Sequence, residues 1–167
     1  MRRNFGIEIL FELLPELNRE HGISLRVIGP ESEIYREFKS RCDADGTSRF
    51  INWRGFVVSE DLSRELENCF CGYDMQENAV NNSKFVIAGR VVHYVQNLVV
   101  PVVSEHSGAI VPFLKARGLG VVCAPEKREI KRAILEAKES HSRYLDSIEA
   151  FLASNPYERT IAEWLLL

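Results

Sequence analysis

Short apolar segments alternate with amphipathic helical patterns along almost the whole chain, and this alternation restricts the fold more than any other feature. Five segments rich in β-branched, aromatic or other apolar residues are candidate strands: 25–28, 50–53, 69–74, 99–104 and 120–124. Apolar residues at helical spacing fill the intervals between them. Because parallel strands are joined by crossover helices, the sequence predicts an α/β fold: a doubly wound parallel sheet with helices on both faces.

The predicted helices cover six intervals and a C-terminal pair: 5–21, 32–42, 59–68, 90–96, 110–116, 129–140, and two pieces within 142–167. Gly22 is the expected end of the first helix, and Ser32 is the expected cap of the second. The chain opens on a helix, whereas doubly wound units normally begin with a strand. We therefore expect a single domain, 1–167, that lacks its first strand or is half of a larger protein.

Composition narrows the functional classes. The 167 residues can bury a full core, and the net charge of −3 gives no general attraction to nucleic acid. Arg90 interrupts the best apolar run before it reaches the length of a membrane span, so we expect a cytoplasmic protein. The four cysteines lack a metal-ligand spacing and are expected to be reduced thiols, and no metal site is predicted.

The segment from 81 to 108 carries the strongest functional signal. A polar loop leads into a basic, aromatic helix and then into an apolar strand, which places four side chains near the carboxyl edge of the sheet: Lys84, Arg90, His93 and Tyr94. Ligands bind at this edge in α/β proteins, and these groups suit a phosphorylated polar ligand such as a nucleotide. The alternative is a surface helix with scattered cations, and the spacing alone does not separate the two.

Other turns add candidates of lower specificity. Gly29 and Gly108 allow a ligand to approach the backbone closely, and the turn at Ser107 can offer amides to a phosphate or sugar. Arg54 and Phe56 lie beside a glycine that follows a strand, where they can shelter a base or ribose. No GxGxxG or Walker A motif is present, so a dinucleotide or P-loop site is not predicted.

The order of these pieces resembles the C-terminal, donor-binding half of GT-B-fold glycosyltransferases, and most closely the large family-four-like group. The resemblance spans nearly the whole chain and rests on the order of several short segments: 4–6 (NFG), 27–29 (VIG), 50–57 (FINWRGFV), 59–66, 83–84 (SK), 90–94 (RVVHY) and 100–103 (VPVV). Four features depart from the family pattern. Phe5 replaces the usual lysine, His93 or Tyr94 replaces the ribose-binding glutamate, and its acidic partner is absent. The usual small-residue step before 100–103 is 97–99 (NLV) here, without a glycine.

The resemblance implies a donor site for a nucleotide diphosphate-sugar, which is a substrate, so no cofactor is expected. Arg90 and Lys84 would bind the diphosphate, Phe56 and Val57 would lie near the base, and His93 or Tyr94 would lie near the ribose. The catalytic residues are unknown, because the acceptor site belongs to a missing N-terminal domain. The C-terminal helices, 142–167, would pack on that domain.

The expected function is the nucleotide-sugar-binding half of a hexosyltransferase that builds a polysaccharide or glycolipid. Peripheral membrane association and homodimerisation are further interactions to consider. Two alternatives stay open: a sugar-nucleotide epimerase on the same fold, and a non-catalytic binding or interaction module, which the altered ribose position favours.

Overall fold

A computed structural model describes residues 6–75 and 89–155 of the chain. They form an α/β protein whose strands are all parallel, which confirms the predicted fold class. The chain divides into two compact units, with the boundary between Glu65 and Leu66.

The first unit contains a two-stranded parallel sheet. Its elements are α1 (Ile7–His21), β1 (Leu25–Ile28), α2 (Glu33–Ala44), a 3₁₀ turn (Thr47–Phe50), β2 (Ile51–Gly55) and α3 (Ser59–Leu66), which ends at the boundary. Leu25 lies opposite Ile51, and Val27 lies opposite Trp53. These four side chains share one face of the sheet because strand residues alternate between faces.

Local chemistry sets the helix boundaries in this unit. Gly22 adopts a left-handed conformation with φ 66° and donates its N–H to the carbonyl of Asn18, which ends α1. The Ser32 hydroxyl accepts a hydrogen bond of 3.2 Å from the Tyr35 amide and so caps α2. Both predicted boundaries are confirmed.

An aromatic core joins α1 and α2 to the first sheet. The Phe11 ring lies 5.6 Å from the Phe38 ring and 5.9 Å from the Trp53 ring, and Tyr35 meets Trp53 edge-on at 5.1 Å. Such tilted aromatic pairs add to the stabilisation that comes from burying their apolar area. The face of the sheet that carries Val27 is therefore covered by two helices.

The described part of the second unit contains a three-stranded parallel sheet and four helices. The elements are β3 (Cys71–Asp74), α4 (Gly89–Gln96), β4 (Val100–Ser104), α5 (Ile110–Arg117), β5 (Val121–Cys123), α6 (Lys127–Glu139) and α7 (His141–Ser154). The strand order is β3-β4-β5, and every residue of the central β4 is buried. A continuous apolar strand of this kind is typical of a parallel sheet covered on both faces.

Helices do cover both faces of this sheet, as predicted. One core cluster joins Val103 of β4 to α4, α5 and α7, and it includes Val91, Phe113 and Ile148. The helix α6 contacts all three strands and buries Ile130 and Ile134. Because Val103 faces α4, α5 and α7, its strand neighbours Val102 and Ser104 face the opposite side. The unit therefore has three layers, and α7 belongs to its core.

The five predicted strands are the five that the described part of the chain contains, with bounds that differ by at most two residues. They form two hydrogen-bonded sheets, β1-β2 and β3-β4-β5. Among the residues described, no helix combines the length and the apolar character that crossing a membrane requires.

Candidate functional site

The carboxyl edge of the three-stranded sheet holds the buried polar residues described in the second unit. Asp74 ends β3 and Ser104 ends β4, and both residues are buried. The helices α4 and α5 pack in one core cluster over the same face of the sheet. Since α5 follows β4 and α4 leads into β4, both helices have their N-terminal ends at this edge.

Asp74 and Arg90 form an ion pair at this edge. Asp74 lies opposite Val103 in the sheet register, so its side chain projects toward α4. The Arg90 Nε atom lies 2.8 Å from Oδ1 of Asp74, and the carboxylate is 0% exposed whereas the arginine side chain is 48% exposed. Arg90 is therefore a partly solvent-accessible cation that is paired with the buried anion Asp74.

Apart from Arg90, little among the described residues stabilises the negative charge of the buried Asp74 carboxylate. Neither oxygen of Asp74 has a hydrogen bond of good geometry within the described part of the chain. Burial raises the pKa of Asp74 above its usual value, and the neighbouring Arg90 guanidinium opposes that shift. The ionised form of Asp74 thus depends on the charge of Arg90.

Tyr94 lies against β3 beside this pair. Its ring covers Gly72, where a Cβ atom would overlap the ring, and its hydroxyl lies 3.4 Å from the Tyr73 carbonyl oxygen. Burial is the main reason that the pKa of the Tyr94 phenol is raised. Tyr94 therefore supports the packing of α4 on the sheet.

His93 is exposed, unlike its neighbour Tyr94. It follows Arg90 by three residues, so the two side chains lie on adjacent turns of α4 and on one side of the helix. Of the two residues predicted to contact a ribose, His93 is the one whose side chain is open to solvent. Lys84, the second predicted phosphate ligand, lies outside the described residues.

The β4–α5 loop is a tight turn with a buried hydroxyl. The Ser107 amide donates to the Ser104 carbonyl at 2.9 Å, and the His106 amide donates to the Ser104 hydroxyl at 3.1 Å. Gly108 has φ 64°, a left-handed conformation that favours glycine. Ser107 is 2% exposed, and its Oγ atom has no hydrogen-bond partner among the residues described.

The N-terminus of α5 directly follows this hydroxyl. Ala109 occupies the cap position and makes no side-chain cap hydrogen bond, and the first turn contains no acidic residue. The first amides of a helix have no intrahelical acceptor, and the helix dipole adds positive potential there. The uncapped start of α5 therefore lies next to Ser107 and Gly108, and the binding of an anion there stays a prediction.

In the first unit, Gly29 and Arg54 are engaged in internal contacts. The Gly29 amide donates to the Gly55 carbonyl at 2.8 Å. Arg54 makes a two-pronged contact with the Glu65 carboxylate, in which the Nε bond measures 2.8 Å. Hydrogen bonding from Arg54 is the main reason that the pKa of Glu65 is lowered. A ligand would have to compete with Glu65 for this arginine.

Phe56 and Val57 follow the end of β2. Phe56 is 71% exposed, and Val57 is half-buried. A solvent-exposed aromatic ring at the carboxyl end of a parallel strand offers a flat apolar surface, and nucleobases stack on such rings.

Thiolate chemistry is not favoured at three of the four cysteines. Burial raises the pKa of Cys42 and Cys123 to about 11 and that of Cys71 to about 12, so these thiols are protonated near neutral pH. Within residues 6–75 and 89–155, no group of three or more His, Cys, Asp or Glu side chains is arranged to hold a metal ion.

Fold and site together define an α/β protein with Rossmann-like parallel sheets and an Asp74–Arg90 ion pair at the carboxyl edge of its second unit. Comparison with known proteins matched no family model and no curated protein. The groups at this edge are therefore the basis for inferring a function.

Asp74 is the site residue that reasoning from sequence missed. A signal was present, because an aspartate ends an otherwise uncharged strand, Cys71–Asp74. In a parallel sheet that position lies at the ligand-binding edge.

Proposed function

We propose that this chain is the nucleotide-sugar-binding half of a glycosyltransferase, in which the carboxyl edge of the second unit binds the diphosphate of the donor. The observation that carries the proposal is the uncapped N-terminus of α5, which follows the buried and unpartnered hydroxyl of Ser107. Arg90 of α4 adds a half-exposed guanidinium at the same edge. Helix amides and guanidinium groups are the donors that phosphate binds in proteins.

Each group has a distinct role in this proposal. The amides of residues 108–110, together with the Ser107 hydroxyl, bind one phosphate, and Arg90 neutralises the second. His93, exposed one turn along α4, lies near the ribose. In a transfer reaction these donors would stabilise the negative charge that develops on the departing diphosphate.

The contact of Phe56 and Val57 with a nucleobase stays a prediction of the sequence, and in the first unit the Phe56 ring is exposed. The acceptor site and the catalytic base belong, in this proposal, to a separate N-terminal domain. The chain by itself would then bind the donor and transfer sugar slowly or not at all.

A non-catalytic binding module on the same fold is the second candidate. It is favoured by the internal roles of two predicted ligand contacts, because Tyr94 packs on Gly72 and Arg54 is paired with Glu65. A sugar-nucleotide epimerase is a further alternative, and it would release sugar or nucleotide without an acceptor.

The first test is a thermal-shift titration with UDP, GDP, ADP, CDP and the corresponding nucleosides. A ligand at 100 times its Kd stabilises the folded state by about 2.7 kcal/mol, which is readily measured. We expect one diphosphate to stabilise the protein selectively, while its nucleoside gives a much smaller shift. Arg90→Ala should lower the affinity for that diphosphate by about tenfold or more, since hydrogen bonds to charged groups contribute about 1.5–3 kcal/mol.

Arg132→Ala is the matched control. Arg132 is also ion-paired and partly exposed, but it lies within α6, which contacts the sheet from the other side. The Arg132→Ala substitution also removes one positive charge, and it should leave diphosphate binding unchanged. Equal loss in both variants would show a general charge effect, and no stabilisation by any diphosphate would count against the donor site.

A further inference from the structure

The Asp74–Arg90 pair places an acid that can take up a proton directly behind the cation proposed to bind phosphate. Asp74 is completely buried, and Arg90 reaches it at 2.8 Å while half of the arginine side chain stays exposed. An anion that binds the exposed part of Arg90 therefore acts on a guanidinium that already compensates a buried carboxylate.

We propose that anion binding at Arg90 is coupled to proton uptake by Asp74, so that the site binds diphosphate more tightly as the pH falls. This inference rests on the proposed function and adds a form of regulation to the same site. This coupling needs no large movement of the chain, because Asp74 takes up a proton whether the anion displaces Arg90 or shares it with Asp74.

The pKa of Asp74 rises on anion binding whether the anion displaces Arg90 or shares it with Asp74. If the anion draws Arg90 away, the buried carboxylate loses the charge that favours its ionised form. If Arg90 keeps both partners, a second negative charge nearby disfavours ionisation of the first. Without a bound anion, burial already raises the pKa of Asp74, and the charge of Arg90 is what opposes that rise. Weakening the effect of Arg90 therefore raises this pKa further. In either case a proton moves from solvent to Asp74 when the anion binds.

Within residues 6–75 and 89–155, few other titratable groups surround Asp74. From α4, Tyr94 lies close, but its pKa is raised by burial and its phenol is neutral near neutral pH. From β4, the register neighbour is Val103, and α7 contributes Ile148 to the same core.

Other charges at this end of the sheet follow β4 or lie on α6. Glu105 and His106 are the ionisable residues of the β4–α5 loop, and His106 is half-buried. The helix α6 contacts the strands from the opposite face, so the sheet separates its charges from Asp74. His106 is therefore the residue that the experiment must control.

The test is isothermal titration calorimetry with inorganic pyrophosphate, and with the nucleoside diphosphate that stabilises best, in buffers of different ionisation enthalpy. Comparing the protein with Asp74→Asn cancels the proton exchange of the ligand itself. We expect the unmodified protein to take up more protons per bound ligand than the variant does. Its affinity relative to the variant should rise by up to about tenfold per pH unit as the pH falls.

His106→Gln should keep the excess proton uptake. Carbon-13 NMR titration of the Asp74 carboxyl, with and without pyrophosphate, tests the same coupling in the unmodified protein. The coupling can therefore be tested even if a variant folds poorly. We expect pyrophosphate to move this titration to higher pH.

Each remaining outcome is decisive. If Arg90→Gln abolishes binding but Asp74→Asn takes up as many protons as the unmodified protein, the coupling is refuted and the donor site stands. If the excess uptake disappears in His106→Gln, the proton belongs to the histidine and the inference fails. If no diphosphate binds, or Arg90→Gln binds it normally, both the inference and the proposed site are overturned.

Discussion

Replacing Gly72 by alanine should destabilise the second unit by forcing α4 away from β3. A Cβ atom built on Gly72 lies 2.5 Å from Cγ and Cε2 of Tyr94. Carbon atoms in comfortable contact are separated by about 3.5–4.0 Å, so an overlap of roughly 1 Å has to be relieved. The ring cannot swing aside cheaply because Val91 and Val95 anchor the same helix in the core. We expect Gly72→Ala to lower the free energy of unfolding by about 1–3 kcal/mol.

Urea unfolding followed by circular dichroism measures this cost. Gly89→Ala is the control, because a Cβ there meets nothing within 4 Å and alanine favours a helix. In a Tyr94→Ala background, the space left by the ring accommodates the new methyl group, so Gly72→Ala should cost less there by about 1–2 kcal/mol. The packing argument is refuted if Gly72→Ala is as harmless as Gly89→Ala, or if its cost is the same in both backgrounds.

Three more predictions follow from single contacts. Gly120→Ala should destabilise by about 1–3 kcal/mol in urea unfolding, because its Cβ would lie 2.6 Å from the Pro101 carbonyl oxygen in the central strand; a cost near zero would contradict this close approach. Ser32→Ala should cost about 1 kcal/mol by removing the cap to the Tyr35 amide, whereas Ser32→Asp should retain most of that stability. Asp74 binds its proton more tightly in the folded protein than in the unfolded chain, so ionisation costs stability. Relative to Asp74→Asn, the protein should lose stability as pH rises from the unfolded pKa through the raised folded pKa and then level off; a difference that is independent of pH would refute this sign.

The sequence by itself determined most of the secondary structure and the parallel fold class. Helix and strand patterns depend on neighbours within a few residues, and so do caps such as Ser32 and Gly22. The crossover helices then required parallel strands, and the structure contains no antiparallel pair among the strands described. The position of Arg90 at the carboxyl edge also followed from element order alone.

Tertiary structure decided which strands pair and what each candidate side chain contacts. Spacing along the chain does not reveal that the five strands form two hydrogen-bonded sheets, since pairing depends on contacts between distant segments. Nor does it separate His93, which is exposed, from Tyr94, whose ring is packed on Gly72. Neighbouring helix positions face different surroundings only once the helix has docked.

The clearest division is at Asp74. From sequence it is an acidic residue at the end of a short strand, and an exposed acid would have its ordinary pKa. Its buried position and its 2.8 Å contact with Arg90 exist only in the folded chain, because desolvation and pairing require groups that lie 16 residues apart to meet. Sequence thus determined which residue types reach the edge of the sheet, and tertiary burial decided their charge and their partners.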